Sequence, residues 1–289
     1  MFRGIYVATA TPFQADGSFD EAAYIAHVDR LVAAGVHGLV PSGTTGESPT
    51  LSREEKLAMF AICKQAAGDK AKVVAGTGSY STAASVEFTA AAAELGVDGV
   101  LAVVPYYNKP TQHGLVAHFQ AIADVGVPVM IYNIPGRSGV NMAPETIAEA
   151  AAHEKIVAVK EASGTVQATV EIKRLNPDLD VLSGDDALFL PCLAAGADGV
   201  VSVAANVDPK RMVALFNFWD NNDAAEARQL NEKLWPLYRA LFTETNPIPV
   251  KAALRLLDFY GPTMRLPMTE AVDGTVARLQ QVMGDLGLL

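Results

Sequence analysis

Residues 72–103 read KVVAGTGSYSTAASVEFTAAAAELGVDGVLAV, and they spell a strand, a helix and a second strand. Lys72 to Ala75 and Gly99 to Val103 are short, β-branched apolar runs, the composition of parallel strands buried on both faces. Between them STAASVEFTAAAAELG spaces its apolar residues by three and four and ends in Gly, as helices often do.

The same alternation extends in both directions. Strand-like runs at Ile5 to Ala8, Gly38 to Val40, Val127 to Ile131, Ile156 to Val159, Asp180 to Leu182 and Gly199 to Val203 bring the total to eight. Helix-like stretches at 19–35, 51–68, 112–124, 144–152, 166–175, 187–195 and 209–222 alternate with them. Repeated βα units predict a parallel sheet with right-handed crossovers. Eight units in about 225 residues fit a closed (β/α)8 TIM barrel better than an open doubly wound sheet, the structural alternative. From Ala224 the strand signal stops, and helical stretches follow at Ala224 to Thr243, Pro249 to Phe259 and Thr269 to Leu286. The expected organisation is an α/β catalytic barrel over residues 1–223 and a C-terminal helical appendage over residues 224–289, serving assembly or packing.

Composition narrows the partners. Half of the 289 residues are apolar and 19% are charged, which suits a soluble globular chain with a large core. The net charge of −10, with no clustered Lys and Arg, argues against nucleic acid and leaves small molecules as the expected partners. Cys63 and Cys192 lie far apart in helix-like stretches and read as reduced thiols of a cytoplasmic protein. The five histidines form no HExxH and the cysteines no paired spacing, so neither a metal nor a cofactor is expected, and the histidines read as surface or cap residues. MFRGIYVATATPF lacks the apolar segment of a signal peptide, and no apolar run reaches the roughly 18 residues of a membrane span.

In such barrels chemistry resides at the C-terminal ends of the strands. Here PSGTTGES (41–48) follows the second strand, PYYNKP (105–110) the fourth and YNIPGRSG (132–139) the fifth; Lys160 closes the sixth, and SGDD (183–186) follows the seventh. A barrel-facing lysine ending IVAVK is desolvated, which disfavours its ammonium form and exposes an amine able to attack a ketone. By itself a lysine there could equally snorkel to water. GTTGES can offer N–H groups and the Thr44 and Thr45 hydroxyls to a carboxylate, or be simply a tight turn; it is not a Walker motif. Tyr106, Tyr107 and Tyr132 offer phenols for proton relay, and Arg137 offers a fork for a second carboxylate.

Taken together, TPF (11–13), GTTGES, AGTG (75–78), PYYNKP, YNIPGRSG, VKEASG (159–164), SGDDA, NPIPVK (246–251) and RLPMT (265–269) resemble the pyruvate-dependent lyases of the N-acetylneuraminate lyase family along nearly the whole chain. Thr44, Thr45, Tyr107 and Arg137 favour the branch that condenses pyruvate with L-aspartate 4-semialdehyde to 4-hydroxy-tetrahydrodipicolinate, in the diaminopimelate route to lysine. The resemblance implies a Schiff base between Lys160 and pyruvate, with Tyr132, Thr44 and Tyr107 relaying protons and Tyr107 supplied by a neighbouring subunit of a homotetramer, a dimer of dimers. It implies Thr44 and Thr45 on the pyruvate carboxylate, Arg137 on the semialdehyde carboxylate, and Gly184 and Val201 lining the pocket. The family's lysine-inhibited members carry histidine, asparagine and glutamate where this chain has Lys56, Tyr80 and Ala84, so weak or absent lysine inhibition is expected. The competing readings are another keto-acid aldolase or dehydratase on the same scaffold and a catalytically silent ligand-binding barrel.

Overall fold

The computed structural model describes residues 1–289. Strands β1 (Gly4–Ala8), β2 (Gly38–Val40), β3 (Lys72–Gly76), β4 (Gly99–Val103), β5 (Val129–Asn133), β6 (Ile156–Glu161), β7 (Asp180–Ser183) and β8 (Gly199–Ser202) follow one another in chain order around a closed barrel. Closure excludes the open-sheet alternative. The helices are α1 (Glu21–Ala33), α2 (Arg53–Ala67), α3 (Thr82–Glu94), α4 (Gln112–Ala123), α5 (Pro135–Ser138), α6 (Pro144–Ala150), α7 (Val166–Leu175), α8 (Phe189–Ala194), α9 (Pro209–Asp220), α10 (Ala224–Ala240), α11 (Ile248–Leu256) and α12 (Asp273–Asp285).

The chain forms two compact units, one of Met1–Gly4 with Lys72–Val201 and the other of Ile5–Ala71 with Ser202–Leu289. Within the first, parallel pairing sets Tyr132 beside Lys160 and Asn133 beside Glu161. The next pairing sets Lys160 beside Leu182 and Glu161 beside Ser183. Side chains alternate along a strand, so this register turns Tyr132 and Lys160 to one face and Asn133 and Glu161 to the other; a one-residue slip would exchange them. Helix α4 packs on α3 and α6, and α6 on α7. Ser81, Thr111 and Thr165 start α3, α4 and α7 by accepting N–H bonds from Ala84, Gly114 and Ala168, which satisfies donors the helix cannot.

Within the second unit, residues 6–8 of β1 are buried and pair with β2, where Gly38 lies against the Tyr6 ring and leaves no room for a Cβ. Helix α2 opens with a capping box: Ser52 accepts from the Glu55 N–H while the Glu55 carboxylate accepts from the Ser52 N–H. The tail helices are packed elements, α10 against α9 and α12, and α11 against α12.

Several expectations need correction. β5 begins at Val129, because Pro128 has no N–H for the ladder, and it continues through Tyr132 and Asn133, which by sequence follow the strand. Glu161, not Lys160, closes β6. The PGRS turn is a short helix, and the last tail helix starts at Asp273 because Val272 is extended. His27 and His118 are buried rather than surface or cap residues. His27 bonds Asn206 at 3.0 Å, and burial with the nearby Arg30 charge pushes it down to about 3; burial alone pushes His118 down to about 4. Both stay neutral and pack as flat, half-apolar rings. Cys63 and Cys192 are buried free thiols, and burial pushes Cys63 up to about 12.

Candidate active site

In the first unit, Lys160 is only 5% exposed, and its Nζ lies over the Tyr132 ring, 4.1 Å from the centroid. The β5–β6 register produces this contact, and a buried amine is thereby offered the negative face of a ring. The third partner is Gly184, whose N–H donates to the Glu161 carbonyl at 2.7 Å. A Cβ at Gly184 would stand 2.5 Å from the Ala162 Cβ and 3.2 Å from the Lys160 Cε, so glycine is what lets the loop after β7 close on the lysine stem. Val201 lies buried within β8.

Behind Lys160, the other face of the same strands carries a polar cluster that sequence reasoning missed. The Glu161 carboxylate accepts from the Ser163 N–H at 2.6 Å and from the Asn133 amide at 2.9 Å. Asn133 also donates to Asn141 and accepts from the Met142 N–H, so it ties down the end of the segment carrying Arg137. Burial raises the Glu161 carboxyl above the usual range, with the Ser163 and Asn133 hydrogen bonds opposing it. Arg137 sits on α5, exposed, and the stem of Lys109 lies over Gly139 at the helix end. Tyr107 occupies the loop after β4 at φ +73° and is 91% exposed, while its neighbour Tyr106 packs edge-on to Tyr80 at 5.4 Å.

Thr44 and Thr45 belong to the second unit, in the turn after β2. Thr44 is half-buried, and its carbonyl accepts from the Glu47 N–H; Thr45 is buried, and its Oγ1 accepts from the Asn246 amide at 3.0 Å. The turn is held from every distant motif of the unit. Thr11 of TPF donates to the Gly46 carbonyl at 2.7 Å. Lys251 of NPIPVK, fully buried, donates to Glu47 at 2.6 Å. Arg265 of RLPMT donates its backbone N–H to the other Glu47 oxygen and forks onto Glu55 at 2.7 and 2.5 Å. Both cations lie over the Phe13 ring, each 4.3 Å from its centroid. Burial lowers Lys251 from the ordinary lysine range, and the Glu47 charge opposes that. Glu47 has φ +55° and Ser42 φ +57°, left-handed values that non-glycine residues rarely adopt.

In the sequence Glu47, Asn246, Lys251 and Arg265 stand out only as letters of the motifs GTTGES, NPIPVK and RLPMT. The one available signal was a Lys and a Glu in otherwise apolar or glycine-rich surroundings, and nothing local pairs residues 204 positions apart. No group of three or more His, Cys, Asp or Glu is placed to hold a metal ion, and no helix is long and apolar enough to cross a membrane.

Comparison with known proteins agrees along the whole length. The model of the dihydrodipicolinate synthetase family matches residues 1–284. The 4-hydroxy-tetrahydrodipicolinate synthase of Thermosynechococcus vestitus is 49% identical, over 100% of this chain and 98% of its own. The crystal structure of dihydrodipicolinate synthase from Thermotoga maritima is 41% identical with a TM-score of 0.97, covering 100% of both chains. A monomeric dihydrodipicolinate synthase variant is 40% identical with a TM-score of 0.97, over 100% of this chain and 98% of its own.

Proposed function

The chain belongs to the dihydrodipicolinate synthetase family, and from that premise we propose that it condenses pyruvate with L-aspartate 4-semialdehyde through a Schiff base on Lys160. The observation that carries this reading is the buried Lys160 amine against the Tyr132 ring, narrowed by Gly184. A buried lysine at the end of a barrel strand, packed against a tyrosine ring, is a nucleophile held apart from bulk water, as an imine-forming lysine must be.

In this mechanism the Lys160 amine adds to the pyruvate ketone and expels water, giving an imine. Loss of a methyl proton gives an enamine, whose carbon attacks the aldehyde of the second substrate. The amine of that substrate then attacks the imine carbon, closes the ring and releases Lys160. Tyr132, Thr44 and Tyr107 relay the protons these steps move. Thr44 and Thr45 hold the pyruvate carboxylate, Arg137 takes the semialdehyde carboxylate, and Gly184 and Val201 line the pocket. No cofactor enters the chemistry.

The 91% exposure of Tyr107 on a left-handed loop supports its donation to a second copy, within a homotetramer built as a dimer of dimers. The protein acts in the cytoplasm, where its two buried thiols remain reduced. Borohydride in the presence of pyruvate should trap a covalent adduct in the wild type and not in Lys160→Ala, with semialdehyde turnover lost in the same variant. Preference for N-acetylmannosamine as acceptor would move the chain to the sugar branch, and turnover by a monomer would overturn the role of Tyr107.

A further inference from the structure

Resting on the assignment of Thr45 to the pyruvate carboxylate, we infer that Asn246 is a positioning residue that fixes the direction of the Thr45 hydroxyl and so sets affinity for the α-keto acid. A threonine hydroxyl has one proton to donate and can accept on its oxygen. The Asn246 Nδ2 occupies that acceptor side at 3.0 Å. An amide N–H cannot take a proton in return, so the Thr45 proton is directed to another acceptor. A carboxylate has only acceptors, and a hydroxyl already polarised by one donor binds it better than a freely turning one.

Both residues are buried, Thr45 at 2% and Asn246 at 5% exposure, so water competes little for either group. The geometry is also clamped on both sides. Five residues beyond Asn246, Lys251 holds Glu47, two residues beyond Thr45, by the 2.6 Å buried ion pair. The NPIPVK segment therefore grips the GTTGES turn twice, by a charge pair that sets the backbone and by an amide that sets the hydroxyl.

The test is a double-mutant cycle with Thr45→Val, Asn246→Ala and their combination, read as separate KM values for pyruvate and the semialdehyde, kcat, and melting temperature. Thr45→Val should raise the pyruvate KM about 10-fold or more, the loss of one hydrogen bond to a charged group. Asn246→Ala should raise it several-fold with little change in semialdehyde KM, and the combination should be no worse than Thr45→Val alone, because an absent hydroxyl has no direction to set. Asn246→Asp keeps the shape and replaces the donor by an acceptor that claims the Thr45 proton, so its pyruvate KM should exceed that of Asn246→Ala. Effects that multiply in the combination, or that fall on both substrates alike, overturn the inference while leaving the Thr45 assignment intact. So does an Asn246→Asp chain that binds pyruvate as the wild type does. An unchanged pyruvate KM in Thr45→Val overturns the Thr45 assignment and this inference with it.

Discussion

Glu47→Gln should destabilise the protein severely at neutral pH and less so in alkali. Glu47 and Lys251 are 2% and 1% exposed at the side chain and 2.6 Å apart. Removing one partner of such a pair leaves an uncompensated buried charge, a loss of about 3–5 kcal/mol. For a chain of this size each kcal/mol moves the melting temperature by roughly 2 °C, so a fall of about 6–10 °C is expected. The sign of the pH dependence follows from Lys251, whose burial already lowers it while the Glu47 charge opposes the shift. Without Glu47 the native lysine favours its neutral form further, and the unfolded chain binds more protons than the native one between the two values. Stability must then rise as pH climbs from the lowered native value toward the unfolded one of about 10.4. Melting followed by circular dichroism at pH 7 and pH 9.5 measures both effects. The variant Glu47→Gln/Lys251→Met, which removes both charges, should recover much of the loss at pH 7. A double variant no more stable than Glu47→Gln would refute the charge-pair account and leave shape complementarity as the cause.

Gly184→Ala places a methyl group 3.2 Å from the Lys160 Cε and 2.5 Å from the Ala162 Cβ; overpacking should cost about 1–3 kcal/mol and suppress borohydride trapping with pyruvate, and full trapping would refute the steric role. Glu161→Gln keeps the shape of a side chain whose one oxygen serves Ser163 and the other Asn133, and removes its ionisable group. Burial raises the native Glu161 carboxyl, so its contribution to stability is full below about pH 4.3 and is lost as pH rises through the native value; urea midpoints from pH 4 to 7 should show the wild type losing stability relative to the variant, and parallel trends would refute this. L-Lysine titrated into the condensation assay should inhibit weakly or not at all, because exposed Ala84 offers no carboxylate to an ammonium group and half-buried Lys56 adds like charge; strong inhibition at submillimolar lysine would contradict this.

The barrel was readable because its determinants are local. Every strand found by composition is present, and the helix ends follow caps and glycines within a few residues, since 3.6-residue and two-residue periods are properties of short windows. The errors sit where a local rule met a tertiary one. Tyr132 and Asn133 precede IPG and read as loop, yet pairing with Lys160 and Glu161 draws them into β5. His27 reads as a surface or cap residue, yet Asn206, far along the chain, gives it a buried partner.

The site divides along the same line. Lys160, Tyr132 and Gly184 come together through strand register, which sequence order specifies once the barrel is accepted. The turn after β2 is different, because its shape opposes local preference. Ser42 and Glu47 both hold left-handed backbone angles that cost a non-glycine residue about 1 kcal/mol or more each. Glycine at position 47 would remove the strain there, but it would also remove the carboxylate through which Lys251 and Arg265 fasten the turn. Strain at Glu47 and the buried ion pair are therefore two sides of one arrangement. The turn adopts a conformation it would not choose alone, and residues some 200 positions away hold it there. This accounts for TPF, NPIPVK and RLPMT, motifs with no side chain assigned to the chemistry: each ends on GTTGES, through Thr11, through Asn246 and Lys251, and through Arg265.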